Sequence, residues 1–199
     1  MPIIVRDSGK NNVVEASEDF IRKQSGTIIF TGSNNHVKIG DKCTTNNILL
    51  RLGDGSSFIA GDNVVFNRLR TYSVKCSKMT IGSDTKFTWS CALHAHESFD
   101  ITLGESCLIA SDCTLSVSDM HPIILIETGE RINHGGDIRL ESRVWLGEGC
   151  KVLKGVHIGT GCVIGTGAIV SGNIPANSLA AGVPARVIKS GITWTHKLM

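Results

Sequence analysis

The sequence is poor in aromatic residues. Phe, Trp and Tyr together make up 5% of its 199 residues, and tyrosine occurs once. A core built on large aromatic side chains is therefore not expected, and a narrow core of Val, Ile, Leu and Cys is. Proline is scarce, at four, which excludes a proline-rich or collagen-like chain. Charge of one sign is also missing. The net charge is +2, and nothing in it calls for a nucleic-acid partner. No apolar run approaches the roughly 20 residues of a membrane-spanning helix, and Met1–Lys10 lacks the charged and apolar regions of a signal peptide. Secretion and a membrane span are not expected. The seven cysteines include no CxxC pair, so neither a zinc ribbon nor a dithiol redox motif is read from them, and a reducing cytoplasmic home fits.

What is present is a period. Residues 140–170 carry an aliphatic residue every six positions: Leu140, Leu146, Val152, Ile158, Ile164 and Val170. A second register runs two residues earlier through Ile138, Val144, Cys150, Val156, Cys162 and Ala168. Six matches neither a helix, at about 3.6, nor a half-buried strand, at 2. It is the spacing of one flat side of a prism, a short strand and then a turn. That predicts a hexapeptide-repeat β-helix in a single domain. Gly147, Gly159 and Gly165 follow the first register and are expected at tight corners that need glycine's freedom. Cys43, Cys107, Cys150 and Cys162 fall three residues after a corner glycine, and Cys91 and Cys113 fall nine after one. These six are expected to point inward as small hydrophobes.

Upstream the step lengthens. Gly40, Gly61 and Gly82 are 21 apart and Gly104 follows after 22, so these coils carry extra corner residues, as in Gly32–Asn35 and Gly53–Ser56. Leu103, Ile109 and Leu115 keep step, and His121 does not. The register resumes at Ile138–Leu140, which predicts a loop leaving the coil over 118–137, a natural place for function on a rigid scaffold. The expected organisation is an N-terminal cap segment 1–27, with a turn or short helix near Glu15–Gln24, a β-helix 28–185 and a C-terminal helix or tail 186–199.

Several segments resemble a known family. Leu108-Ile109-Ala110, Thr114–Val117 with His121-Pro122, Val144–Gly147 and Ala180–Ile188 are similar to galactoside and maltose O-acetyltransferases. Ser118–Pro122 with Thr128–Asn133, and Gly32–Gly40, look closer to bacterial surface-polysaccharide O-acetyltransferases. The resemblance covers about residues 28–190 and implies a left-handed parallel β-helix working as a homotrimer. It also implies transfer of acetyl from acetyl-CoA to a hydroxyl of a sugar in surface polysaccharide or a related glycoside, with no metal.

Such a transfer needs a base for the hydroxyl proton, a stabilised oxyanion and a held thioester. The family's catalytic histidine falls on His121, with Asp119 or Glu97 as candidates to orient the imidazole. Coenzyme A contacts carry over to Trp145, Glu148, Thr166, Ser171, Gly172, Arg186 and Lys189. Trp145 lies between two inward residues and so points outward, toward a ligand or a subunit neighbour. The family usually has Thr-Lys where this chain has Ser171-Gly172, so one cationic contact is missing, with Lys151 or Lys154 as substitutes. Galactoside enzymes place an acceptor-contacting asparagine where this chain has Ala92, which argues against a simple galactoside. Trp89, His94 and the Arg68/Arg70 pair would face the acceptor, and arginine suits an acidic sugar. Two alternatives stand beside this reading. One is N-acetylation of an amino-sugar nucleotide. The other is zinc chemistry of the γ-type carbonic anhydrase kind, for which His94 and His96, alternating on one strand, plus a loop histidine would be ligands.

Overall fold

The computed structural model describes residues 2–197. Among the described residues are twenty-two strands, of which all but the last stack as parallel ladders along three faces, and the chain winds round them as a parallel β-helix of about eight turns. Face A carries Ile3–Asp7, Gly26–Phe30, Ile48–Asp54, Ser90–Ala95, Thr114–Ser116, Lys151–Val152 and Ile169–Val170. Face B carries Val13–Glu15, His36–Ile39, Ser57–Ala60, Lys78–Ile81, Ile101–Leu103, Ile138–Leu140 and His157–Ile158. Face C carries Thr44–Thr45, Lys86–Phe87, Leu108–Ile109, Trp145–Leu146, Val163–Ile164 and Ser178–Ala181. One long strand, Val65–Lys75, turns the corner from C to A.

The two registers read from the sequence are the core. All twelve residues of 138–170 named above are 0–1% exposed. Side chains of one coil sit on their counterparts one coil away: Leu103 pairs with Leu140 and Leu140 with Ile158. Coil length sets side-chain size. The longer upstream coils enclose more space and hold Phe30, Phe58, Phe66 and Phe87, all fully buried. The later coils are filled by Val, Ile, Leu, Cys and Ala.

The corner glycines act differently from expectation. Gly147 and Gly165 have ordinary backbone angles, but a Cβ on Gly147 would lie 2.7 Å from the Thr166 nitrogen, and one on Gly165 would lie 2.9 Å from the Ala181 Cβ. Glycine is needed there because the next coil passes too close. The left-handed residue falls two positions later, at Lys42, Asn63, Asp84, Ser106, Gly149, Gly161 and Gly167, mostly Gly, Asn or Asp, which tolerate it.

The six inward cysteines are buried and Cys76 is exposed. The buried thiols also do something a valine could not. Each donates to a backbone carbonyl of the following coil: Cys91 to Ala110 at 3.1 Å, Cys113 to Gly147 at 3.2 Å, Cys150 to Gly165 at 3.1 Å. Thr85 fills the same slot, with its hydroxyl 3.0 Å from the Gly104 carbonyl. Val64 and Ala168 fill the same slot without a donor, so the position selects a small side chain, and a thiol or hydroxyl adds the contact.

Both ends depart from the expected boundaries. Residues 3–15 are already a coil, since Ile3–Asp7 pairs with Gly26–Phe30 and Val13–Glu15 with His36–Lys38. Helix α1, Glu18–Lys23, takes the place of that coil's third strand. Ser17 caps it, and Phe20 is buried edge-on against Phe66 at 6.3 Å. The expected helix over 186–199 is instead a strand, Arg186–Ser190, antiparallel to Ser178–Ala181. The β-branched Val187 and Ile188 favour it, and it covers the last open edge of face C. Residues 191–197 then run back over face C, and residues 198–199 lie outside the described residues. Arg143 and Trp194 exchange hydrogen bonds, Arg143 to the Trp194 carbonyl at 2.8 Å and the Trp194 indole to the Arg143 carbonyl at 2.7 Å. No helix among the described residues is long and apolar enough to cross a membrane.

Burial also pushes the thiols of Cys43, Cys107 and Cys162 up, and thiolate is the reactive form. In the native protein a thiol reagent is expected to label one cysteine quickly, Cys76, and the other six only on unfolding. Fast labelling of two or more, read by intact mass, would contradict the packing.

Candidate active site

The coil opens once, between Ser116 on face A and Ile138 on face B. The excursion is a bent hairpin. Leu125 and Ile132 nitrogens donate to Glu130 and Ile123 carbonyls at 2.9 Å each, and Gly129 turns the tip at φ 70°. Its outer side is apolar and bare: Ile123, Ile124, Leu125 and Ile126 are all exposed.

A polar clasp closes the base of the loop. Asn133, 7% exposed, is its centre. Its Oδ1 accepts from the Ile123 nitrogen at 2.6 Å, and its Nδ2 donates to Asp119 Oδ2 at 2.9 Å and to the His121 carbonyl at 2.8 Å. Arg131 reaches Glu97 on the coil through two nitrogens at 2.6 and 3.3 Å. Ser118 donates to the same Glu97 at 2.5 Å. Lys154, one coil further on, pairs with Asp119 and donates to the Asn133 carbonyl at 3.2 Å. The two ends of the excursion are thus tied to each other and to coils on either side.

The clasp fixes the His121 backbone. Its nitrogen donates to the Asp119 carbonyl at 2.8 Å and its carbonyl accepts from Asn133. The imidazole itself is exposed, with no hydrogen bond to a described residue. Asp119 therefore does not orient the ring here, because its carboxylate is engaged by Lys154 and Asn133. Glu97, the other candidate, is taken by Arg131 and Ser118. The sequence reading missed Asn133 and Arg131 as positioning residues. Their signal lay in the Thr128–Asn133 segment, which was read only as a resemblance.

Beside the clasp on face A is a hollow of about 360 Å³, lined among others by His94, His96, Ser116, Asp119, Met120 and Lys151. The His94 and His96 rings are 5.2 Å apart, and Tyr72 packs against His96 at 5.3 Å with its ring tilted by 54°. Burial lowers the pKa of both histidines, which keeps them neutral at pH 7. His96 Nδ1 is shut from water with no partner among the described residues. Trp89 stands apart, at the corner of faces C and A, under the Arg68 guanidinium at 4.6 Å. Among the described residues no group of three His, Cys, Asp or Glu side chains is placed to share a metal ion.

The residues read as coenzyme A contacts fall into separate groups. Glu148 and Thr166 stack at the corner of faces C and A, where the Gly167 nitrogen donates to the Glu148 carbonyl at 2.7 Å. Arg186 continues that line, opposite Ala181. Ser171 and Gly172 lie across face A at its other corner, the one the loop leaves from. Lys189 lies further along the last strand, opposite Leu179. Trp145 sits on face C, 36% exposed. Its outward position has a partner in its own chain, since Trp194 packs on it at 5.8 Å. Position along the repeat revealed that Trp145 faces out but could not show that the tail returns to it.

The hydrogen bonds from Arg131 and Ser118 hold the Glu97 carboxyl below the usual range, and those from Lys154 and Asn133 do the same for Asp119. A depressed folded pKa means the clasp is fully present above the ordinary carboxylate range, about 4. It is lost as pH falls through the folded values. Hydrogen exchange of 119–133 is expected to lose protection in that acid window while the coil stays protected. Glu97→Gln should show the same local loss at neutral pH. Equal protection of the variant at pH 7 would count against the clasp.

The segment 137–172 matches the family model for bacterial transferase hexapeptide (six repeats). Over 200 residues, 96% of this chain and 89% of the relative, the sequence is 31% identical to the polysialic acid O-acetyltransferase of Neisseria meningitidis. Over 95 residues, 47% of this chain and 45% of the relative, it is 41% identical to the galactoside O-acetyltransferase of Escherichia coli. The crystal structure of the polysialic acid O-acetyltransferase OatWY superposes with a TM-score of 0.90 at 29% identity, over 98% of this chain and 93% of that one. That of the polysialic acid-specific acetyltransferase NeuO does so at 0.86 and 31%, over 98% and 83%. The coil is the left-handed β-helix of these enzymes. The chain belongs to the hexapeptide-repeat O-acetyltransferases, the family that includes the polysialic acid and galactoside enzymes.

Proposed function

We propose that this acetyltransferase moves an acetyl group from acetyl-CoA to a hydroxyl of an acidic, sialic acid-type surface polysaccharide, with His121 as general base. The observation that carries the reading is the clasp. It holds the His121 backbone at two points and leaves the imidazole exposed, next in sequence to Asp119 and Met120, which line a hollow on face A. In the reaction the acceptor oxygen attacks the thioester carbonyl carbon as His121 takes the hydroxyl proton. The carbon–sulfur bond of the tetrahedral adduct then breaks, and the imidazolium returns the proton to the departing thiolate. A general base must start in its neutral form, so the imidazole begins the reaction without the proton it takes.

Acetyl-CoA is assigned to Trp145, Glu148, Thr166, Ser171, Gly172, Arg186 and Lys189, with Arg186 and Lys189 offered to its phosphates. His94 and Trp89 are assigned to the acceptor. The cofactor residues lie on two corners of face A and on face C, and one chain does not close them into a single pocket. The bare apolar hairpin also needs cover. Both are met by a homotrimer in which a neighbour supplies the second wall. The buried, unpaired thiols fit the cytoplasm.

Removing a general base costs about 10²–10⁴ in rate. His121→Ala is expected to lose that much kcat while keeping its melting temperature and its KM for acetyl-CoA. A variant keeping more than a tenth of wild-type kcat would place the base elsewhere. Light scattering should give three times the 21.3 kDa chain mass. A mass of one chain at micromolar concentration would contradict the trimer.

A further inference from the structure

The hollow beside the clasp does not end there. It shares His94 and Thr114 with a second hollow of about 270 Å³, which Arg70, Ala92 and Asp112 also line. The second shares Arg70 with a third, again about 270 Å³, formed by Thr27, Asn47, Leu49 and Arg68. Three linked hollows therefore make one trough down the outside of face A, from the loop toward the N-terminal coils.

Strand register explains the alignment. Outward residues stand in rows because the coils stack without slip. One row runs Thr27, Leu49, Arg70, Ala92, Thr114, Lys151. The row beside it runs Ile29, Arg51, Tyr72, His94, Ser116. The first row crosses six strands, so it spans about 24 Å at about 4.8 Å per strand. The second is a stack: the Arg51 guanidinium lies 5.4 Å from the Tyr72 ring centre, Tyr72 packs on His96, and His96 on His94. Arg68, Arg70 and Lys151 line the trough with positive charge, and Arg51 adds one in the row beside it. The acidic residues lining it are Asp112 and Asp119, and Lys154 already neutralises Asp119. A row of cations beside flat rings on a rigid face suits a chain of anionic sugars, with carboxylates on arginine and ring faces on Tyr72 and His96. One small acceptor would need the first hollow only.

Building on the acidic-polysaccharide reading, we propose that the trough is an extended acceptor track that holds several sugars of an anionic glycan beyond the reacting one. Its distal contacts are Arg70, Tyr72 and Arg51, none of which touches the loop.

The test uses sialic acid oligomers of graded length and a single sialic acid as acceptors, with Arg51→Gln and Tyr72→Ala against wild type. In wild type, KM should fall as the oligomer lengthens, and added salt should erode the gain. Each variant should cut the KM advantage of long over single acceptors by about tenfold, the worth of one charge-assisted or stacking contact. Arg51 is exposed, so its variant folds even if Tyr72→Ala does not. A wild-type KM independent of length, or a full length advantage kept in Arg51→Gln, would overturn the track and leave acetyl transfer standing. If none of these acceptors is acetylated, the acidic-polysaccharide reading fails, and calorimetric binding of the same oligomers decides the track alone. Affinity that rises with length and drops in Arg51→Gln supports it, and no binding overturns it.

Discussion

The closeness of successive coils at one corner governs this molecule. At Gly147 and Gly165 the next coil passes so near that no side chain fits. The parallel ladders set a rise of about 4.8 Å per coil, and at these corners that rise leaves no room for a Cβ. Everything inward follows from it. Each Val, Ile or Leu must land on its counterpart one coil away, and each buried side chain of that size contributes about 1.5–3 kcal/mol. The thiol slot follows too, because a corner carbonyl of the next coil arrives within reach of a small donor. A solenoid held by identical neighbour contacts is straight and stiff, and its outer faces become rulers on which side chains line up in rows.

We place the chemistry where the ruler is interrupted. The loop leaves face A and rejoins at face B, so both of its ends meet at one corner. There Asn133, Arg131, Glu97, Asp119 and Lys154 tie them down. The arrangement differs from a triad, in which a carboxylate holds the imidazole itself. Here the polar groups hold the backbone around His121 and leave the ring open, so the acceptor or a neighbouring chain can complete its surroundings. The carboxylates in the clasp keep their charge by pairing, and His94 and His96 beside it stay neutral through burial.

The repeat was legible because it is local and periodic. Twelve inward positions, the fate of six cysteines and the excursion over 118–137 all follow from counting. What counting could not see was long-range. Val187 and Lys189 pair across to Ala180 and Leu179 only because an open edge waits there. Trp194 returns to Trp145 from about fifty residues away. The first coil was hidden because α1 replaces one of its strands and breaks the period. Asp119 was assigned to the imidazole by nearness in sequence, yet Lys154 reaches it from the next coil. The corner glycines were rightly singled out for a different reason, since close approach and left-handed backbone both select glycine, and sequence alone does not separate them.

The central claim is that this coil makes an acetyl ester on an acidic polysaccharide. The most direct measurement incubates the protein with acetyl-CoA and a sialic acid polymer, then quantifies free coenzyme A and polymer-bound acetyl together. The account predicts one acetyl gained per coenzyme A released, bound as an ester that hydroxylamine removes. Coenzyme A released with no acetyl on the polymer, or acetyl bound as an amide that resists hydroxylamine, would contradict it.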